Sequence, residues 1–343
     1  MVAKGTLMDR IMMLMACTAL MGAIGSARCA EKPAPKVRII AVQMKVDVAM
    51  YRNLAVFRNA MDKAMAPAVA RKARTVPTLI ALPEDVGLGL VLLNHLDLVK
   101  DAKTFRDAGT AVGFRYGADV YENSVKHNIS QTRALLLTAN DKWLRQAYFD
   151  TFSYLAKKHG VYLLAGSAPL TKAGTTSVRN ISVLFGPDGK ILSQTSKVHL
   201  IDLEGPEGLD LEPGSINELR VAKTLFGKVG VTVCWDGFFD DVLDRLVDLG
   251  ADIIIQPSFN PQVWTPEQET DWETGLFTRL KTRPSVLAGV NPMMVGGLYD
   301  IICEGRTNIV GASANNGYFG RLKSATEPGV VVVDLPAAVG ADR

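Results

Sequence analysis

Apolar residues recur along this chain at two spacings. "VRIIAVQM" (37–44), "PTLIALPE" (77–84), "VYLLAGS" (161–167), "KVGVTVCWD" (228–236) and "ADIIIQPSF" (251–259) are short, nearly unbroken apolar runs, rich in β-branched residues. Such runs predict strands covered on both faces. "MYRNLAVFRNAMDKAMAPAVARKA" (50–73) instead spaces its apolar residues at helical intervals, with Arg and Lys between them. "DKWLRQAYFDTFSYLAKKHG" (141–160) is a second amphipathic helix, closed by Gly160, with Lys157, Lys158 and His159 at its negative C-terminal pole. "NISVLFGPDGKILSQTSKVHL" (180–200) reads as two strands around the turn "PDG". A helix over 238–250, another near 266–283, and strands near 286–291, 306–311 and 329–334 complete the pattern, and 88–132 is mixed and mostly helical.

Strands and helices alternate, but hairpins are interleaved with them. The expected fold is therefore α/β and layered, with partly antiparallel sheets. No internal repeat, low-complexity stretch or linker interrupts residues 36–343, which read as one domain.

The first thirty residues differ. "MVAKGTLMDR" carries Lys4 and Arg10, "IMMLMACTALMGAIG" is continuously apolar, and "SARCAEKPAPK" turns small and then polar. This is the three-part layout of a secretory signal, with cleavage expected after Ala27 and within about 25–30. The apolar run is short for a membrane span, which needs about 20 residues. The chain is expected to be exported, periplasmic or secreted, with no span after leader removal. A lipoprotein cut at Cys17, in "LMAC", is the alternative. With 38 basic and 35 acidic residues there is no charge excess or basic stripe to argue for a nucleic-acid partner. Cys17 and Cys29 fall in or beside the leader, so the body keeps Cys234 and Cys303, too few for a disulfide framework.

Three polar residues sit just past predicted strands: Glu84, Lys197 and Cys234. Taken alone, Cys234 is open to two readings, core filling or a nucleophile aimed from a strand end. A thiol becomes reactive as the thiolate, which a neighbouring carboxylate can generate by taking the proton. A lysine ammonium can stabilise the thiolate and then the oxyanion of a tetrahedral intermediate. Cys, Glu and Lys together would therefore suffice for acyl transfer without histidine.

The motifs "LIALPED", "SKVHLIDLEG" and "VGVTVCWDGFF" occur in that order, each at a predicted strand end, and "EGLDLEPG" (207–214) lies between the last two. In this the chain resembles the nitrilase superfamily of carbon–nitrogen hydrolases over nearly all of its mature length. The resemblance implies a four-layer α-β-β-α sandwich of two mixed sheets, a homodimer or higher homo-oligomer, and no metal or organic cofactor. It implies Cys234 as nucleophile, Glu84 as general base, Lys197 as oxyanion-stabilising cation and Glu207 as a second glutamate orienting the lysine. The Trp235 backbone N–H would join Lys197 at the oxyanion. The implied substrate is a small linear amide or carbamoyl amide, cleaved through a cysteine thioester. Nitrile hydrolysis, acyl transfer to an amine, or a catalytically inactive binding protein are the alternatives.

The chain also departs from the pattern. Residues 88–135 form a longer separating segment than the family needs, expected to act as a lid or substrate wall. Near "TRLKTRPSVLAGVNP", Arg279 matches a family arginine, but Arg283 and Pro284 replace an expected acid and amide. His199 is expected to pack or bond structurally. His95, His127 and His159 lack metal-ligand spacing, and Cys303 is expected to be an idle thiol. "NIS" at 128 and at 180 matches the acceptor motif for N-glycosylation.

Overall fold

The computed structural model describes residues 36–338. The leader and its cleavage site lie outside the described residues.

Strand β1 (Lys36–Val46) is the axis of the first sheet. One edge pairs in parallel with β2 (Thr78–Ala81); the other pairs antiparallel with β14 (Gly329–Pro336) and then, over its last three residues, in parallel with β10 (Met294–Leu298). The sheet continues through β3 (Tyr162–Thr171), β4 (Val178–Phe185) and β5 (Ile191–Ser196), and β11 (Ile301–Cys303) closes its far side. The second sheet has the order β13-β12-β9-β8-β7-β6, built from β6 (Ala222–Thr224), β7 (Gly227–Val231), β8 (Ile253–Ile255), β9 (Ala288–Asn291), β12 (Asn308–Val310) and β13 (Tyr318–Arg321). Both sheets are mixed: β1-β2-β3 and β7-β8-β9 run parallel, while β14, β4, β6 and β12 pair antiparallel with them.

The continuous apolar runs follow from two-faced burial. In β1, Val37, Ile39 and Ala41 enter a core between the sheets, while Ile40, Val42 and Met44 enter a second core under helices. In β8, Ile253 and Ile255 face the first sheet while Ile254 faces a third core. Successive strand residues point to opposite faces, so three cores require four layers, α-β-β-α. Helices α1 (Leu54–Val69) and α5 (Leu144–His159) cover the first sheet; α6 (Asp240–Asp248) and α8 (Leu276–Arg279) cover the second.

Some elements differ from the sequence expectation. The helix over 50–73 starts only at Leu54, where Asn53 caps the Val56 N–H at 2.9 Å. The helix near 266–283 is broken into α7 (Pro266–Glu273) and α8 at Gly275, where a Cβ would lie 3.0 Å from the Phe238 ring. Strands β6, β10, β11 and β13 were not expected; each is only three to five residues long, and β10 contains Gly296 and Gly297. The extra segment supplies α2 (Phe105–Arg115), α3 (Gly117–His127) and the start of α4 (Gln131–Lys142). It braces the loop after β5. Arg106 donates to the Glu207 carbonyl, Ser130 Oγ lies 2.6 Å from Asp210, and Arg133 pairs with both Asp210 and Glu212 at 2.7 Å. Among the described residues no helix is long and apolar enough to cross a membrane.

Gly166 fixes the turn beside Glu84. Its φ is +59°, and a Cβ there would meet the Pro83 carbonyl oxygen at 1.9 Å. Gly174 also has a positive φ but has nothing within 4 Å. Gly166→Ala should therefore destabilise by more than the roughly 1–3 kcal/mol of a strained backbone alone, whereas Gly174→Ala should show only the conformational part. Urea unfolding of both variants checks this; equal losses would show that contact with Pro83 is unimportant.

Candidate active site

The ends of three strands converge. Glu84 follows β2, Lys197 follows β5 directly, and Cys234 lies three residues beyond β7. All three are buried. Lys197 Nζ lies 2.9 Å from Glu84 Oε1 and 2.7 Å from Glu204 Oε2. Asn180, on β4, bridges the same carboxylates, its Nδ2 donating to Glu84 at 2.9 Å and to Glu204 at 2.7 Å. Glu204 Oε2 also accepts the Ile201 N–H at 3.0 Å. Glu84 Oε2 has no hydrogen-bond partner among the described residues, although the Cys234 thiol neighbours the carboxylate.

The second glutamate is thus Glu204, and the expectation for Glu207 is corrected. Residues 201–205 make a tight turn, with the Glu204 and Gly205 N–H groups both bonded to the Ile201 carbonyl, which folds Glu204 inward onto Lys197. Gly205-Pro206 then carries the chain out, leaving the Glu207 side chain exposed. Sequence spacing does not reveal this because three acids share the loop and only the turn selects among them.

Cys234 has a φ of +49°, in the left-handed region that costs a side-chain-bearing residue. Its N–H donates to the Pro257 carbonyl at 2.9 Å, its carbonyl accepts from Gln256 Nε2 at 2.8 Å, and Sγ lies 3.5 Å from the Phe259 carbonyl. Asn291 Nδ2 in turn bonds the Gln256 carbonyl at 2.7 Å. The Trp235 ring lies tilted against the Phe238 ring, with centroids 4.8 Å apart. Asp236 reaches across to the lysine loop and accepts the Val198 N–H at 3.0 Å and the His199 N–H at 2.7 Å. The Cys234 turn and the lysine turn are therefore one unit. Gln256, Asn180 and Asp236 went unnoticed in the sequence; only the strand-end position of Gln256 and the place of Asp236 two residues after Cys234 hinted at a role.

The electrostatics follow from burial. Burial pushes the Glu84 carboxyl up to about 7, with Lys197 pulling down and Glu204 pushing further up. For Lys197, burial alone would lower the pKa, but Glu84, the thiol and Glu204 outweigh it and hold the ammonium well above its ordinary range. Burial, then Glu84, raise the Cys234 thiol, against the pull of Lys197. A carboxylate poised near neutrality beside a thiol, with a fixed cation alongside, can take the thiol proton and hold negative charge on a substrate oxygen. No group of three or more metal-ligating side chains occurs among the described residues.

The other candidates have structural partners. His199 stacks on Phe239 at 3.9 Å and bonds Asp241 at 3.1 Å. His95 bonds the Tyr116 hydroxyl at 3.0 Å, and His159 bonds Asp62 at 2.7 Å. Cys303 is free and buried, its thiol pushed up to about 12 by burial. Arg279 and Arg283 both pair with Asp240, at 2.6 and 2.7 Å, tying the 279–284 region to α6. Asn180 is buried on the two glutamates and cannot present itself as a glycan acceptor.

The carbon-nitrogen hydrolase family model matches residues 78–281, more than half of the chain. The chain belongs to the carbon–nitrogen hydrolase family. The chain is 33% identical over 118 residues to omega-amidase NIT2 of Xenopus tropicalis, covering 32% of the chain and 41% of that protein. It is likewise 33% identical over 112 residues to omega-amidase NIT3 of Saccharomyces cerevisiae, covering 31% and 38%. The aligned stretch thus spans about two-fifths of those relatives. Among solved structures, a carbon-nitrogen hydrolase from Helicobacter pylori G27 superposes with a TM-score of 0.57 at 19% identity, covering 88% of this chain and 89% of that one. A variant of the nitrilase-superfamily amidase from Nesterenkonia sp. AN1, with acrylamide added to its active-site cysteine, gives a TM-score of 0.57 at 16% identity, covering 88% and 93%. The two mixed sheets and their helices match the nitrilase-superfamily architecture.

The raised carboxyl sets a pH test. Below about 7 Glu84 is protonated and cannot accept the thiol proton. Alkylation of Cys234 by iodoacetamide should therefore accelerate as pH rises through about 7. Glu84→Gln should remove that inflection and slow labelling by about 10²-fold or more, while Cys303 stays unlabelled throughout. Mass mapping of labelled peptides across pH 5–9 reads both thiols. An unchanged inflection in Glu84→Gln would remove Glu84 as the proton acceptor.

Proposed function

We propose that this family member hydrolyses the carbon–nitrogen bond of a small linear amide through a thioester on Cys234. The observation that carries the reading is the fully buried Lys197, held by Glu84 and Glu204 beside a thiol on a left-handed turn. The relatives named omega-amidases favour a terminal primary amide as the substrate group.

In this reading Glu84 takes the thiol proton and Sγ attacks the amide carbon. The developing oxyanion is met by the Lys197 ammonium and the Trp235 N–H. The intermediate collapses with cleavage of the C–N bond, and Glu84 returns its proton to the departing nitrogen. Water then gives a proton to Glu84 and attacks the thioester. The carboxylic acid leaves, and the proton returns to the thiol. Glu204 orients Lys197, and Asn180 holds the two carboxylates in register. Asp236 is occupied with the backbone of the lysine loop, so the Trp-Asp pair after the nucleophile serves positioning.

Incubation with a panel of primary amides, carbamoyl amino acids and nitriles, followed by intact-mass analysis, tests the reading. A covalent acyl adduct on Cys234 and release of ammonia are expected. Cys234→Ala should lose on the order of 10⁴-fold or more in turnover. Glu204→Gln should lose on the order of 10²-fold, the scale of one misplaced oxyanion donor, while Glu207→Gln stays within about twofold of the parent. Turnover retained in Cys234→Ala would sink the mechanism. Turnover lost in Glu207→Gln but kept in Glu204→Gln would reverse the assignment of the second glutamate.

The leader supports a further part of the proposal, export with removal of residues up to about Ala27. N-terminal sequencing of natively expressed protein should begin near Arg28. A sequence starting at Met1 or Val2 would contradict export by cleavage.

A further inference from the structure

The extra helices enclose a cavity that the amide chemistry does not use. It has a volume of about 500 Å³ and lies between α2, α3 and α4, the lysine loop and the start of β11. Its walls are mainly apolar, with Phe105, Val120, Leu135, Leu136, Leu203 and Leu209 among them. None of Glu84, Lys197 and Cys234 lines it. The volume falls in the range of small-molecule sites, roughly 300–1,000 Å³.

Two features describe an occupant. The first is the room left by glycine. Gly109, Gly113 and Gly117 all line the cavity, and a Cβ at the first two would approach only Leu135 Cδ2, at 3.9 and 3.8 Å, while one at Gly117 would meet nothing within 4 Å. Glycine is a poor helix former, and neighbouring atoms do not require it here, so these residues keep volume open at a cost to the helices. The second feature is charge. Arg106 is the one cation in the lining, and among the described residues it makes no ion pair; its guanidinium donates to the Glu207 carbonyl. The one lining acid, Asp300, is engaged with the Phe105 N–H at 2.8 Å. Phe114 and Tyr121, both largely exposed, also belong to the lining.

We propose that this cavity is a binding site for an apolar-tailed monocarboxylate, with the chain among the leucines and the carboxylate on Arg106. The occupant would pack on Leu203 and Leu209, which flank Glu204, but the site is separate from the thiol. Its occupation is therefore testable without assuming any amidase activity.

Titration calorimetry of the full chain with hexanoate, octanoate and decanoate is the test. Affinity should rise about fourfold for each added CH₂. Decan-1-ol should bind at least tenfold more weakly than decanoate, and Arg106→Gln should abolish that difference. Gly113→Leu fills the cavity and should weaken decanoate binding at least tenfold while its thermal midpoint stays at or above the parent's. No saturable binding to the parent chain, or binding undiminished in a folded Gly113→Leu, would overturn the proposal. Equal affinity for the acid and the alcohol would also overturn it. So would self-association or vesicle binding that Gly113→Leu abolishes while decanoate binding persists, because the face would then serve a second copy or a lipid surface.

Discussion

A lysine ammonium with no solvent contact must be paired, and the architecture around Lys197 follows from that requirement. Stripping an ion of water costs several kcal/mol even after relaxation, and a partner with good geometry has to offset it. Lys197 has two carboxylate partners, Glu84 and Glu204, so the cluster holds more negative than positive charge when both are ionised. Glu204 is also served by a backbone N–H, whereas Glu84 takes both of its non-thiol hydrogen bonds on Oε1. Glu84 is the less supported anion, and burial leaves it near neutrality, where it can exchange a proton with the thiol. The cation and the carboxylate beside it therefore set each other's ionisation.

The same cluster needs turns that bring three strand ends to one point, and each turn carries its own device. Cys234 adopts a left-handed backbone and is held there by Pro257 and Gln256 on one side and by the Asp236 link on the other. Glu84 sits between Pro83 and Asp85, which also has a positive φ, and the Asp85 N–H is fixed by Ser167 Oγ at 2.9 Å. Strain of this kind persists only where surrounding bonds over-determine it. A dense hydrogen-bond network at these turns is thus part of the site's stability as well as its aim.

The layered fold was legible because two-faced burial writes itself into sequence: runs such as "VRIIAVQM" and "ADIIIQPSF" have no polar face. Glu84 and Cys234 were legible as strand-end residues because each follows such a run, and Lys197 because it follows the second strand of a hairpin. Glu204 was not, because the turn at Ile201–Gly205 has no periodic signal and the neighbouring Glu207 looks equivalent on paper. Asn180 was hidden inside a strand pattern, where an amide reads as an edge residue although it is buried on two carboxylates. The short strands at the rim were missed because three to five residues are too few to establish alternation.

The lysine loop also explains why the extra helices belong to the site's physics. From Val198 to Gly214 the chain has no regular strand or helix to hold it. Asp236 fixes its start, and Arg133 fixes its later part through Asp210 and Glu212. The Arg133 side chain is only 17% exposed, so its pairs are screened less by salt than a surface ion pair, while its own desolvation offsets part of the gain. Glu204 lies between these two anchors. Its position on Lys197 therefore depends on helices outside the Glu84–Lys197–Glu204 cluster, and a substitution in α4 can reach the Lys197 ammonium through the loop without altering the strand ends that carry the cluster.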